Sequence, residues 1–351
     1  MLGLMQDWPL LCHRIIDHAA LNHGERPVIS RSLEGPIHTT NYAAIRARAL
    51  RVAQRLERDG VRTGDRVATL AWNTWRHLES WYGILGIGAI YHTVNPRLFA
   101  DQIAWIINHA EDRMIMTDLT FLPILEKIAD KTPTIERTIV FCDGAHMPAT
   151  SLRNAVAYED WITEVDGDFS WKSFDENTAA GMCYTSGTTG SPKGVLYTHR
   201  SNYLHTLRAL QADAFALTAA DVLLVAVPMF HANGWGLPFA APAVGAKMVL
   251  PGRHADGASL ARLMRDEGVT VAAGVQTVWM PTATVTASAA ISLARLAPSV
   301  SRPGRTSLVP TDGAANGRPQ PLAWNNGTAP SSTTSAVRAK ASACRARRVC
   351  R

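Results

Sequence analysis

Thr185-Ser186-Gly187-Thr188-Thr189-Gly190-Ser191-Pro192-Lys193-Gly194 is a run of ten residues made almost wholly of glycine, hydroxyl side chains and one lysine. Small residues let the backbone bend so that successive N–H groups point into one concavity. The hydroxyls add donors and Lys193 adds a point charge. Such a segment is a cradle for a polyphosphate. Upstream, Ala179-Ala180-Gly181-Met182-Cys183-Tyr184 reads as a short buried strand, and downstream Val195-Leu196-Tyr197-Thr198-His199 is β-prone again. The loop therefore joins two strands. That separates it from the P-loop, which needs a hydroxyl directly after its lysine and a helix starting there. Here Gly194 follows Lys193 and Pro192 precedes it.

Moving outward, strands and helices alternate. Residues 9–22 read as a helix opened by Pro9, and residues 27–30 as a strand. Tyr42, Ile45, Ala49, Val52 and Leu56 fall at helical spacing, with Thr40 or Asn41 to cap them and Gly60 to end them. A strand at 66–70, a very apolar helix at 74–87 and a strand at 89–94 follow. Next come a helix around Ile103, Ile106, Ile107 and Ala110, a strand at 114–117, a helix at 119–129 and a strand at 138–142. Residues 148–168 read as a polar surface excursion. This alternation predicts an α/β fold with parallel pairing and helices on both faces of the sheet. In such sheets ligands sit at the carboxyl ends of strands, which is where the cradle begins.

A second informative stretch is Val222-Leu223-Leu224-Val225-Ala226-Val227-Pro228-Met229-Phe230-His231-Ala232-Asn233-Gly234-Trp235-Gly236. An apolar strand ends at Pro228, and His231, Asn233 and Trp235 emerge among glycines beyond it. A histidine there can donate to a phosphate oxygen. A tryptophan next to Gly234 can pivot and open or close an apolar tunnel.

These two stretches resemble the adenylate-forming superfamily, the AMP-dependent synthetases and ligases. Tyr184 to Gly194 matches its ATP-binding signature, and 228–235 matches the Pro-Met-Phe-His-x-Asn-x-Trp sequence of medium- and long-chain acyl-CoA synthetases. Gly64-Asp65-Arg66-Val67-Ala68, Trp72-Asn73, His92-Thr93-Val94-Asn95-Pro96-Arg97-Leu98 and Gly245-Ala246-Lys247 also look like this family, as core and substrate-wall architecture. The N-terminal Gly3-Leu4-Met5-Gln6-Asp7-Trp8-Pro9-Leu10 fits the medium-chain fatty-acyl and 3-methylmercaptopropionyl-CoA ligases. The resemblance implies layered, parallel-rich sheets with helices, the partial N-terminal domain of that fold. It implies an AMP-forming acid–thiol ligase joining a carboxylic acid to CoA at the expense of ATP, with Mg²⁺ as metal and a homodimer in the intact family. Carried over, Thr185, Ser186, Gly187, Thr188, Thr189, Gly190 and Lys193 hold ATP phosphates. His231 approaches the phosphates, and His231, Asn233, Gly234 and Trp235 line and gate the acyl side. Thr63-Gly64-Asp65 spells the family's ribose motif but lies in the wrong strand, and it is assigned no ribose role.

The resemblance covers about residue 3 to Trp279, and residues 1–280 are taken as the partial AMP-binding domain. Residues 281–351 are rich in Ala, Ser, Thr, Arg, Pro and Gly, with nine arginines, one lysine and a single acid, Asp312. The whole chain carries +6, so this last fifth holds +9 and leaves −3 on the rest. Such a segment cannot bury enough surface to offset its ordering entropy and is expected to be a disordered basic tail. Its composition fits an out-of-frame reading of a GC-rich gene; a natural disordered tail is the alternative. The downstream Tyr-Gly-x-Thr-Glu segment, a true Thr-Gly-Asp and a C-terminal catalytic lysine are expected to be missing, so the glutamate that usually holds Mg²⁺ is missing too. No residue is assigned as a metal ligand, and little or no turnover is expected. A non-catalytic nucleotide or acyl binder is the alternative function. A basic-tail nucleic-acid binder is the third, disfavoured because Trp324 is the tail's one aromatic residue.

Five scattered cysteines without C-x-x-C spacing argue against a disulfide framework or zinc site and fit reduced thiols in the cytoplasm. The N-terminus has no basic n-region of a signal peptide. No apolar run is long enough for a membrane span.

Overall fold

The computed structural model describes residues 3, 5, 7–185 and 192–274. Ser186, Gly187, Thr188, Thr189 and Gly190 of the loop, residues 275–280 and the tail at 281–351 lie outside the described residues.

In chain order the elements are α1 (His13–His23), β1 (Pro27–Arg31), β2 (Ile37–Asn41), α2 (Tyr42–Arg58), β3 (Arg66–Leu70), α3 (Trp75–Gly86), β4 (Ile90–Thr93), α4 (Ala100–Ala110), β5 (Asp112–Thr117) and α5 (Leu122–Ile128). They continue with β6 (Arg137–Val140), β7 (Val156–Ala157), α6 (Tyr158–Thr163), β8 (Ala179–Thr185), β9 (Lys193–Thr198) and α7 (His199–Ala209). Last come β10 (Val222–Val225), α8 (Leu237–Val244), β11 (Lys247–Leu250), α9 (Gly257–Glu267) and β12 (Val271–Ala273).

The strands build two sheets. A seven-stranded sheet runs β7-β6-β5-β3-β4-β8-β9, and a five-stranded sheet runs β12-β10-β11-β1-β2. Pairing is parallel throughout except for β9 on β8 and β2 on β1. Both exceptions have one cause. A connection of a few residues can only reverse the chain, because a parallel return needs a dozen or more residues of crossover.

Alternation along the strands explains the layers. Val67, Met114, Met116 and Ile139 face one way into the largest apolar cluster, together with Leu223, Val225, Met248 and Leu250 of the second sheet and residues of α1, α2, α3 and α8. Their neighbours Ala68, Leu70 and Ile115 face the other way onto α4 and α5. Leu224, Val249 and Ala272 turn outward onto α9. The result is helices between two sheets and a further helical layer outside each.

Helix α3 is buried on every side, from Trp75 to Gly86. Burying Arg76, His77 and Glu79 is tolerable only because each finds partners. Arg76 reaches both Glu34 oxygens at 2.9 and 2.8 Å and Glu159 at 2.7 Å. Glu79 accepts from Arg48 at 2.7 Å and from the Tyr158 hydroxyl at 2.8 Å. Thr74 caps the helix, as Asn41 caps α2.

The excursion at 148–168 is not wholly polar surface. It contains β7 and α6, whose Tyr158, Trp161 and Ile162 are buried. Strand β2 and helices α7, α8 and α9 carry no strong alternation or cap signal in the sequence and enter only with the structure. No helix among the described residues is long and apolar enough to cross a membrane.

Candidate functional site

The carboxyl ends of the parallel strands converge. The chain leaving β3 carries Trp72 and Asn73. Asn73 is buried and donates both its amide hydrogens across to the second sheet, to Val225 O at 2.9 Å and Val227 O at 2.8 Å. Its Oδ1 accepts from the Met229 N–H at 2.7 Å. The backbone N–H of Gly252, in the turn after β11, donates to the Asn73 carbonyl at 3.1 Å. Thr93, the last residue of β4, touches Met182 O of β8 at 3.4 Å and Asn233 Oδ1 at 3.2 Å. These bonds put the exits of β3, β4, β8, β10 and β11 side by side.

The glycine-rich loop springs from this end. Its two stems pair as Thr185 with Lys193 and Tyr184 with Gly194. Thr185 is half-buried and Lys193 exposed. Tyr184 fixes the stem: its hydroxyl shares a hydrogen bond of 2.6 Å with His109 Nδ1 on α4, and its ring packs edge-on to Trp105 and close to His92. Burial pushes the Tyr184 phenol up to about 12, so it stays protonated. A Cβ at Gly194 would sit 3.2 Å from the Tyr184 ring. A side chain there would press on the stem.

Beyond β10 the chain makes an unusual turn. Ala232, Asn233, Gly234, Trp235 and Gly236 have φ of 44, 52, 58, 55 and 71°, five left-handed residues in a row. Only the glycines adopt this without cost; L residues resist it by about 1–2 kcal/mol each. Three groups hold the turn. Thr93 bonds the buried Asn233 side chain, His205 Nε2 donates to the Trp235 carbonyl at 3.2 Å, and the Gly234 N–H donates to His231 O at 3.0 Å. A Cβ at Gly236 would fall 2.6 Å from the His205 ring. Trp235 is half-buried against the central core, and His231 is exposed at the mouth of the turn. Desolvation, with the nearby Arg97 charge, lowers the His231 pKa. At neutral pH it is an uncharged ring with one N–H to offer.

The described sequence candidates thus fall at one end of the fold: Thr185 and Lys193 on the hairpin stem, and His231, Asn233, Gly234 and Trp235 on the left-handed turn, joined through Thr93. Residues 186–190 lie outside the described residues. Sequence reading missed His205 and the Tyr184–His109 pair, whose partners lie far away in the chain. It placed Asn73 and Thr93 only as architecture. Thr63-Gly64-Asp65 is structural here: the Thr63 hydroxyl bonds Ile87 O at 3.1 Å, and Asp65 accepts from Arg113 at 2.8 Å.

The donors around Thr185, Thr93, Asn233 and His231 are hydroxyl, amide and imidazole groups. Mg²⁺ wants carboxylate oxygens, so the described residues here do not fit it. The described side chains that cluster as metal donors are Glu34, Asp143 and His146, and Arg76 already occupies Glu34 through both oxygens.

A family model described as AMP-binding enzyme matches residues 16–314. The medium-chain-fatty-acid–CoA ligase of Ectopseudomonas oleovorans is 44% identical over 279 residues, 80% of this chain and 51% of that protein. The 3-methylmercaptopropionyl-CoA ligase of Ruegeria pomeroyi is 45% identical, over 80% of this chain and 52% of that protein. The chain spans about half the length of the curated relatives it matches. Among solved structures, a long-chain-fatty-acid-CoA ligase from Archaeoglobus fulgidus superposes with a TM-score of 0.70 at 23% identity, covering 81% of this chain and 55% of that one. It shares the fold.

Proposed function

The chain belongs to the AMP-binding enzyme family, and from that premise we propose that it carries the ATP-phosphate and acyl-binding half of an AMP-forming acyl-CoA synthetase. The observation that carries this reading is the Thr93 bridge, which sets the hairpin stem of Thr185 and Lys193 beside the turn of His231 and Trp235.

In this reading residues 185–193 grip the β- and γ-phosphates of ATP. Backbone amides and the Lys193 ammonium neutralise the charge of the departing pyrophosphate. The substrate carboxylate, arriving past Trp235, attacks the α-phosphorus in line; the P–O bond to pyrophosphate breaks and an acyl-adenylate forms. His231, uncharged, donates its N–H to a phosphate oxygen. The CoA thiol then displaces AMP. Catalysis of this kind rests on positioning and charge stabilisation, not on covalent chemistry by the protein. No step is routed through Mg²⁺, because the described donor set does not fit it.

The 351 residues contain no Tyr-Gly-x-Thr-Glu segment after the loop and no Thr-Gly-Asp besides residues 63–65. We therefore propose that residues 1–280 form the binding domain, that 281–351 are a basic tail outside it, and that the chain acting alone binds nucleotide and acid with negligible turnover. Losing one charge-stabilising donor alone costs about 10²–10³ in rate. Calorimetry with ATP and a medium-chain fatty acid, paired with pyrophosphate–ATP exchange, tests this. Binding without exchange is expected, and Lys193→Ala should abolish the ATP signal. Exchange at the rate of a full-length relative would overturn the silent-binder reading. No ATP binding at all would overturn the nucleotide reading.

A further inference from the structure

We infer that Asn73 is a positioning residue for the phosphate-facing histidine, an inference that rests on the nucleotide reading above for its functional consequence but not for its geometry. Every polar atom of its side chain is used, and every bond lands on the segment that leads to His231. Nδ2 holds Val225 O and Val227 O, and Oδ1 holds the Met229 N–H, two residues before His231. These are the bonds a continuing neighbour strand would make. The chain leaves the β10 ladder after Val225, and one side chain from the other sheet takes the ladder's place for four residues.

The clasp is anchored as firmly on its own side. The Trp72 N–H donates to the buried Asp118 carboxylate at 2.6 Å. The Trp72 carbonyl accepts from His77 Nδ1 at 3.0 Å. A carbonyl can only accept, so His77 carries its proton on Nδ1, and its Nε2 is the acceptor for Trp81 Nε1 and Thr69 Oγ1, each at 3.0 Å. The Trp72 ring meets Phe230, the residue before His231, at 6.3 Å between centroids. Residues 72 and 73 are thus fixed to β5 and to the buried helix α3, and through Asn73 they fix the backbone from 225 to 230. The distance from His231 to the hairpin stem is therefore set by the seven-stranded sheet, which also carries the stem. The five-stranded sheet, from which His231 emerges, does not set it.

The test compares the full chain with Asn73→Asp, Asn73→Ser and, as a control of pure destabilisation, Leu56→Ala in the buried core of α2. Asn73→Asp keeps the shape but turns a carboxylate oxygen onto two carbonyls. Asn73→Ser keeps one donor and serves if the aspartate variant fails to fold. Two readouts are taken: hydrogen exchange of residues 226–236 by mass spectrometry, and affinity for an α,β-methylene analogue of ATP. The inference expects faster exchange confined to 226–236 and affinity weakened about tenfold or more, since a misplacement of 1 Å costs on the order of 10² in a positioned site. Leu56→Ala should change neither in that segment-specific way. Exchange at 226–236 that matches the Leu56→Ala pattern overturns the inference. So does unchanged analogue affinity in both Asn73 variants. If the parent chain binds no analogue, the nucleotide reading falls, and the exchange comparison alone then decides the clasp.

Discussion

Replacing Thr93 by valine keeps the shape of the side chain and removes the hydroxyl between β4 and the left-handed turn. The lost hydrogen bond to Asn233 costs about 0.5–1.5 kcal/mol, and leaving the buried Asn233 amide unsatisfied adds about 1–3 kcal/mol. Its Nδ2 already lacks a partner among the described residues, so after the substitution the whole amide is orphaned. The turn cannot absorb that loss: Ala232, Asn233 and Trp235 hold left-handed φ without being glycine, at about 3–6 kcal/mol together. We expect Thr93→Val to destabilise by about 2–4 kcal/mol in urea unfolding followed by circular dichroism. In an Asn233→Gly background there is no amide to orphan, and φ of 52° is unstrained for glycine. There Thr93→Val should cost less than about 1 kcal/mol, a coupling well above the roughly 0.5 kcal/mol of additive sites. Equal cost of Thr93→Val in both backgrounds would refute the clamp.

Gly181→Ala would place a Cβ 2.3 Å from the Tyr91 ring, which is stacked on Trp81 at 4.1 Å and cannot retreat; a loss of about 1–3 kcal/mol is expected in the thermal midpoint, and an unchanged midpoint would show that the ring yields. Arg76→Met strands the Glu34 and Glu159 carboxylates and should cost about 3–5 kcal/mol, with part recovered by adding Glu34→Gln; no recovery in the double variant would rule out a charge origin. Acid should destabilise the fold. Burial holds His13 and His77 near about 4 and His199 near about 3, with His38, His231 and His254 also lowered. The unfolded chain therefore takes up protons from pH 6.5 downward that the native one refuses. Burial raises Glu79 and Asp118 to about 7 and Asp112 as well, and these oppose by favouring the native state until pH rises through 7. The imidazoles outnumber them, so stability should fall from pH 6.5 to 5 by about one proton's worth, on the order of 1.4 kcal/mol per pH unit; stability that is flat or rising on acidification would contradict the balance.

The α/β alternation was legible because each strand buries both faces. Residues such as Met114, Ile115 and Met116 then read as an unbroken apolar run between helices, and that run fixes strand type without any knowledge of neighbours. What it cannot fix is which sheet a strand joins. β1 lies beside β11, more than two hundred residues later in the chain, and nothing local in Pro27 to Arg31 reports that. The excursion at 148–168 misled for a related reason. Its buried Tyr158 is amphipathic, and its hydroxyl is satisfied only by Glu79 of the distant helix α3. In a polar stretch the residue looks like surface.

The site divides along the same line. Glycine, hydroxyl and lysine crowding announces a phosphate loop because the ligand's chemistry dictates the residue types locally. His231 and Trp235 were found for the same reason. The residues that hold them in place were not, because holding is a matter of distant partners: Asn73 meets Val225 and Val227, Thr93 meets Asn233, and His205 meets Trp235. One signal was available. An asparagine directly after a buried strand must either reach solvent or bind buried backbone, and Asn73 is followed by a helix with no exposed face. Its side chain had to find backbone groups with broken ladders, and in a parallel sheet those lie at the carboxyl ends of strands, where the ligand also sits. The same shortage of partners that buries Asn73 puts it next to the chemistry.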